Sequence, residues 1–314
     1  MLDIKRSFRN PIIIFFITFI VIFVAYGGRL FSNTIGIDTE VLVNDPQTAY
    51  NWLIIGRFGG FALRKFLEFG LFSPYYAAGL SALFLVCAYW IWRGLIVKYL
   101  SLPEWCAGAF WLLFVVHPIW EEQAYFELQL VQITFGLAII GVTLWGCLAG
   151  ATERCTWRII PIIIGLILCF SIYQSFVILF IAASCFLFLQ YYRDGEKTNI
   201  YRFCIFFVSV FLISYLVYSV ISKIWFSSST YLTSQILWQE DNIIGCIKNI
   251  LLHIESVVLG HNIFFTIGYF FSLVLLAVQI IIRCSSRHNF NFKLNITTIL
   301  AFFLLEISPF LLTI

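Results

Sequence analysis

Apolar runs of about 20 residues recur along this chain from one end to the other, each nearly free of charged side chains. That recurrence restricts the fold more than any other feature. A helix needs about 20 residues to cross the hydrocarbon of a bilayer. Inside lipid, only helices and closed barrels satisfy every backbone N–H and C=O. Composition points the same way. Of 314 residues, 61% are hydrophobic and 11% charged, and the mean hydropathy is +0.96. Soluble domains carry about 25% charged residues. A water-soluble fold of this composition would expose more apolar surface than water tolerates. The net charge of +3 is small and no basic run is present, so nucleic acid is not an expected partner. The expected class is all-α, a polytopic membrane protein forming a single domain over residues 1–314.

The candidate spans are 11–31, 74–92, 105–119, 128–150, 158–172, 174–191, 201–224, 262–282 and 294–313, about nine helices. The stretch 158–191 is too long for one crossing, and its clearest polar break is Ser171-Ile172-Tyr173-Gln174. Lys5, Arg6 and Arg9 precede the first run as in a signal peptide. No small-residue cleavage site follows, so an uncleaved first helix is expected. With the N-terminus in the cytoplasm, most Lys and Arg fall in short cytoplasmic loops, as topology requires. Most Asp and Glu fall on the opposite side. That side also carries the long loops, about 32–73 and 225–261, and the acidic link 120–127. In 50–70, apolar residues recur at near-helical spacing with Arg57, Arg64, Lys65 and Glu68 between them, the pattern of one amphipathic helix on the membrane surface. Residues 242–258 read similarly. The last span is apolar up to Ile314, as in a chain truncated at its C-terminus.

Nine Cys are present, mostly within apolar runs, and no CxxC occurs. Neither a zinc site nor a disulfide framework is expected. Four polar patches fall on the external side. Asp38 and Glu40 follow the first helix. Read as extended chain, residues two apart point the same way, so both carboxylates could face one cavity. A solvated loop is the plain alternative. Arg57 stands in the Gly-flanked segment Trp52-Leu53-Ile54-Ile55-Gly56-Arg57-Phe58-Gly59-Gly60. A guanidinium at headgroup depth suits a phosphate; it also suits simple anchoring. The link His117 to Glu127 holds Glu121, Glu122 and Tyr125. Carboxylates and aromatic rings together suit sugar hydroxyls and sugar faces, and an ordinary polar loop would look alike. Tyr173 and Gln174 mark a helix break, which in a membrane needs a cavity or partners. The spans themselves carry almost no ionisable residue before Glu306. A transporter would place such groups at mid-membrane, so an enzyme acting on a membrane-anchored substrate is favoured. A transporter or flippase of a lipid-linked sugar, or an inactive truncated homologue, is the alternative.

The acids after the first helix, the W-x-x-x-G-R-x-G segment, the Pro118–Glu127 loop and S-I-Y-Q together resemble the serotype-converting O-antigen glucosyltransferases. These are the Gtr-type membrane glycosyltransferases of the GT-C superfamily. The resemblance covers roughly residues 10–310. In that family the acids are usually adjacent, whereas Thr39 separates them here, and further helices usually follow the element resembling Ser308-Pro309.

The resemblance implies a GT-C-like fold in the bacterial inner membrane with a periplasmic active site. It implies a polyprenyl-phosphate sugar donor, lipopolysaccharide O-antigen as acceptor, and membrane lipid around both. A flippase and a cytoplasmic polyprenyl-phosphate glucosyl synthase would supply the donor. On this reading Asp38, then Glu40, is the catalytic base. Arg57 holds the donor phosphate, with Arg29, Arg64 or Lys65 as substitutes. Trp52, Glu121, Glu122, Tyr125, Tyr173 and Gln174 bind sugar. No cofactor is assigned, and a divalent metal stays open.

Overall fold

The computed structural model describes residues 11–30, 37–67, 73–99, 126–153, 158–193, 200–225, 243–259, 269–275 and 292–308, with isolated positions between 110 and 123 and between 277 and 281. Every element among these is helical, with no strand. In chain order the helices are α1 (Pro11–Leu30), α2 (Ile37–Asn44), a 3-10 turn (Pro46–Tyr50), α3 (Asn51–Ile54), α4 (Phe58–Leu67), α5 (Pro74–Gly94), α6 (Glu127–Glu153), α7 (Ile159–Ile172), α8 (Ser175–Arg193), α9 (Ile200–Trp225), α10 (Ile243–Val258) and α11 (Phe292–Ile307). α5 opens on Pro74, where the missing N–H costs nothing, and ends in a π-turn over Leu95–Tyr99.

Helices Pro74–Val97, Glu127–Ala151 and Tyr201–Trp225 are long and apolar enough to cross a membrane; Ile13–Gly28, Ile159–Ile172, Ser175–Gln190 and Thr298–Ile307 are apolar and shorter. Along α9, Ile205, Leu212, Leu216, Val220 and Ile224 are all exposed, Ile224 at 71%. A stripe of that kind suits lipid, not water. This is an all-α membrane protein. The chain parts as expected between Ile172 and Ser175, where the polar break lies. The expected spans 105–119 and 262–282 fall largely outside the described residues.

The described helices form two compact units. The first comprises residues 1–174 and 209–227. Its core joins Ile22 and Tyr26 of α1 to Ala82, Leu85, Val86 and Tyr89 of α5 and Leu130 of α6. α5 and α6 are tied by their indoles: Trp92 Nε1 donates to the Leu137 carbonyl at 3.0 Å and Trp145 Nε1 to the Ile91 carbonyl at 3.1 Å. Buried polar groups need such partners, and these bonds also set how the two helices face each other. α6 and α4 both pack against α7, and α2 touches α6. The second unit comprises residues 175–208 and 228–314. There α8 packs on α11, Phe180 stacks on Phe207 of α9, and Phe188 meets Phe203 of α9 at a tilt. α10 is amphipathic: Cys246 is buried while Ile244, Ile247 and Leu251 are exposed.

Candidate functional site

The segment expected as one amphipathic helix over 50–70 is broken in the structure, and the break builds a site. Asp45 Oδ1 accepts the Gln47 N–H at 3.0 Å and starts the 3-10 turn that runs into α3. α3 stops after one turn because Gly56 adopts φ +75°, a conformation costly for any residue with a Cβ. A Cβ there would also stand 2.9 Å from Ser222 Oγ and 3.1 Å from the Tyr218 hydroxyl. The Arg57 N–H donates back to the Trp52 carbonyl at 2.7 Å, and α4 then begins at Phe58. Gly59 brings α4 against the C-terminal end of α7: a Cβ would overlap the Ser171 hydroxyl and approach the Leu168 carbonyl to 3.1 Å. Gly56→Ala and Gly59→Val should each destabilise the protein by about 1–3 kcal/mol, read as a lower melting temperature of the detergent-solubilised chain. A Gly59→Val protein that melts like the wild type would mean that α4 and α7 do not approach this closely.

This geometry delivers the Arg57 side chain to the C-terminal end of α7, beside Tyr173 and Gln174. Its guanidinium lies 4.2 Å from the centre of the Tyr173 ring, an attractive arrangement because the ring face is electronegative. Nε donates to Gln174 Oε1 at 3.1 Å, and Nη1 donates to Gln129 Oε1 at 3.3 Å. Gln174 is anchored in turn: its Nε2 donates to the Ile55 carbonyl at 2.8 Å and approaches the Tyr218 hydroxyl oxygen at 3.5 Å. The Tyr218 ring stacks on Phe58. The cluster thus gathers the first turn of α6, the end of α7, the last turns of α9 and the Gly56 turn. Two neutral carbonyl oxygens and one ring face help to orient this cation. A fork of guanidinium N–H groups held this way suits the oxygens of a phosphate.

Arg57, Tyr173 and Gln174 were singled out from sequence, and the structure brings them together. Gln129 and Tyr218 were not. The signal was present in weak form, a polar residue near the end of an apolar span, but nothing local tied either to Arg57. The Trp52 carbonyl accepts the Arg57 N–H, while its side chain packs on Ala49 and Leu128, with the Arg64 guanidinium 5.6 Å over its ring. Arg64, expected on the polar face of a surface helix, is buried at 4% exposure. The break at Gly56 turns α4 so that Arg64 faces inward, where its cation finds the indole. Lys65 is exposed, with its ammonium over the rings of Tyr50 and Phe61.

Asp38 and Glu40 were read as extended chain; they stand in α2. Glu40 is exposed. Arg29 stands in the last turn of α1. Glu121, Glu122 and Tyr125 lie outside the described residues. Among the described residues no three His, Cys, Asp or Glu side chains converge.

A family model described as glucosyl transferase GtrII matches residues 27–314. The chain belongs to that glucosyltransferase family. No curated protein and no solved structure matches it. The GtrII match begins in the last turn of α1 and runs through α2, the Gly56 turn and every helix that contributes to the Arg57 cluster. The Arg57 cluster lies within the matched residues.

Proposed function

We propose that this GtrII-family chain moves a sugar, glucose, from a polyprenyl-phosphate donor to O-antigen or another cell-surface polysaccharide at the periplasmic face of the bacterial inner membrane. The observation that carries the reading is the Arg57 guanidinium, held by Gln129 and Gln174 and stacked on Tyr173 at the ends of apolar helices. Transfer breaks the bond between the sugar's anomeric carbon and a phosphate oxygen. The leaving group is a lipid phosphate, and a positioned cation stabilises the charge that develops on it. The acceptor hydroxyl forms the new bond and loses a proton to a carboxylate. Asp38 is the first candidate for that base and Glu40 the second. Their helix, α2, packs on α6, the helix that supplies Gln129. The polyprenyl tail lies along apolar helix surfaces. Glu121, Glu122 and Tyr125 complete the sugar contacts, and Arg29 and Lys65 are secondary cations near the headgroups.

The test is transfer of labelled glucose from synthetic polyprenyl-phosphate glucose to purified lipopolysaccharide by the purified chain. The expected result is label in the polysaccharide, dependent on the lipid donor. Label movement across vesicles without transfer would favour a lipid-linked-sugar transporter and overturn the enzymatic reading.

A further inference from the structure

Gln174, read from sequence as a sugar contact, has its amide engaged at both ends within the protein. Oε1 accepts from Arg57 Nε at 3.1 Å. Nε2 donates to the Ile55 carbonyl at 2.8 Å and faces the Tyr218 hydroxyl oxygen at 3.5 Å. The orientation is determined. Exchanging oxygen and nitrogen would set an NH2 group against the Arg57 N–H and an oxygen against the Ile55 carbonyl. Ile55 and Arg57 flank Gly56, whose left-handed backbone lets one side chain reach both of them. Gln174 itself sits at the gap between α7 and α8.

We infer that Gln174 is a positioning residue: it clamps the Gly56 turn to the α7–α8 break and so fixes the direction of the Arg57 guanidinium. The inference rests on Arg57 being the donor-phosphate ligand. A guanidinium fork recognises phosphate by angle as well as charge, and the bond from Nε to Gln174 fixes the plane of the Arg57 guanidinium. Gln174 acts through Arg57 alone, on the lipid phosphate and not on the acceptor.

The test uses the full-length chain in detergent, undecaprenyl phosphate as the binding probe, and lipopolysaccharide as acceptor in the transfer assay. Gln174→Met keeps side-chain length and removes both hydrogen-bonding functions. Gln174→Glu keeps an acceptor for Arg57 but cannot donate to Ile55, and it gives the guanidinium a counter-charge. Both variants should weaken undecaprenyl phosphate binding about tenfold to hundredfold, the scale of a misplaced binding group, with the acceptor KM unchanged. Arg57→Ala should weaken it at least as much. Adding Gln174→Met to Arg57→Ala should produce no further loss, because two residues acting as one unit are not additive.

Should Arg57→Ala leave undecaprenyl phosphate binding unchanged, the phosphate reading of Arg57 fails, and the positioning role with it. If Arg57→Ala weakens binding while neither Gln174 variant does, only the positioning role is overturned. The same holds if Gln174→Met raises the acceptor KM or adds its full loss to Arg57→Ala; either result makes Gln174 a direct contact. Melting temperatures of all four proteins identify a variant that fails to fold, in which case the other Gln174 variant decides.

Discussion

Arg57→Ala should lower kcat/KM for the lipid-phosphate donor by about 10²–10³, the scale of losing one preorganised group that meets developing charge, or about 2.7–4 kcal/mol of transition-state stabilisation. The loss follows from what the side chain does in the structure. Its guanidinium is already held by Gln129 and Gln174 and stacked on Tyr173, so no reorganisation is needed when the leaving phosphate gains charge. Arg57→Lys should recover little of it, because an ammonium is a point charge without the planar fork and cannot meet both glutamines and the ring together. Arg57→Ala also removes this donor from two part-buried glutamine carbonyls, which costs about 0.5–1.5 kcal/mol of stability. Kinetics and melting therefore need to be measured on the same preparations. A donor kcat/KM within twofold of wild type in a folded Arg57→Ala protein removes Arg57 from the phosphate site.

The second large effect belongs to Asp38. Asp38→Asn keeps the size of the side chain and removes its capacity to take a proton, so transfer should fall by about 10²–10⁴ with membrane insertion and melting temperature retained. Glu40→Gln is the companion measurement. If one acid alone is the base, the two substitutions should differ sharply in effect. Equal, moderate losses would indicate that both acids only shape the local field. Full activity in Asp38→Asn, paired with loss in Glu40→Gln, would transfer the role of base to Glu40.

The all-α class, the boundaries of the long apolar helices and the break between α7 and α8 could be read from the order of residues. A bilayer forbids unsatisfied backbone, so long apolar runs have one solution, and a polar tetrad such as Ser171-Ile172-Tyr173-Gln174 can only interrupt them. The motif around Arg57 was legible too, since glycines beside an arginine at the end of apolar helices are unusual company. Local spacing failed where two periodicities compete. Asp38-Thr39-Glu40 reads as extended chain only if nothing winds it into a helix, and α2 does so. The apolar rhythm of 50–70 continues through Gly56, although the backbone reverses hand there and carries Arg64 inward.

What only the tertiary structure decided is the company Arg57 keeps. Gln129 is 72 residues away in sequence and Gln174 is 117 away. Tyr218 joins them because Gly56 has no side chain to hold α9 off. Contacts at such separations depend on which helix ends come level when α4, α6, α7 and α9 pack, and on the hydrogen bonds the half-buried amides then find. Packing geometry of that kind leaves no periodic trace along the chain, so the sequence determined the helices and the cation while the fold determined what the cation is aimed by.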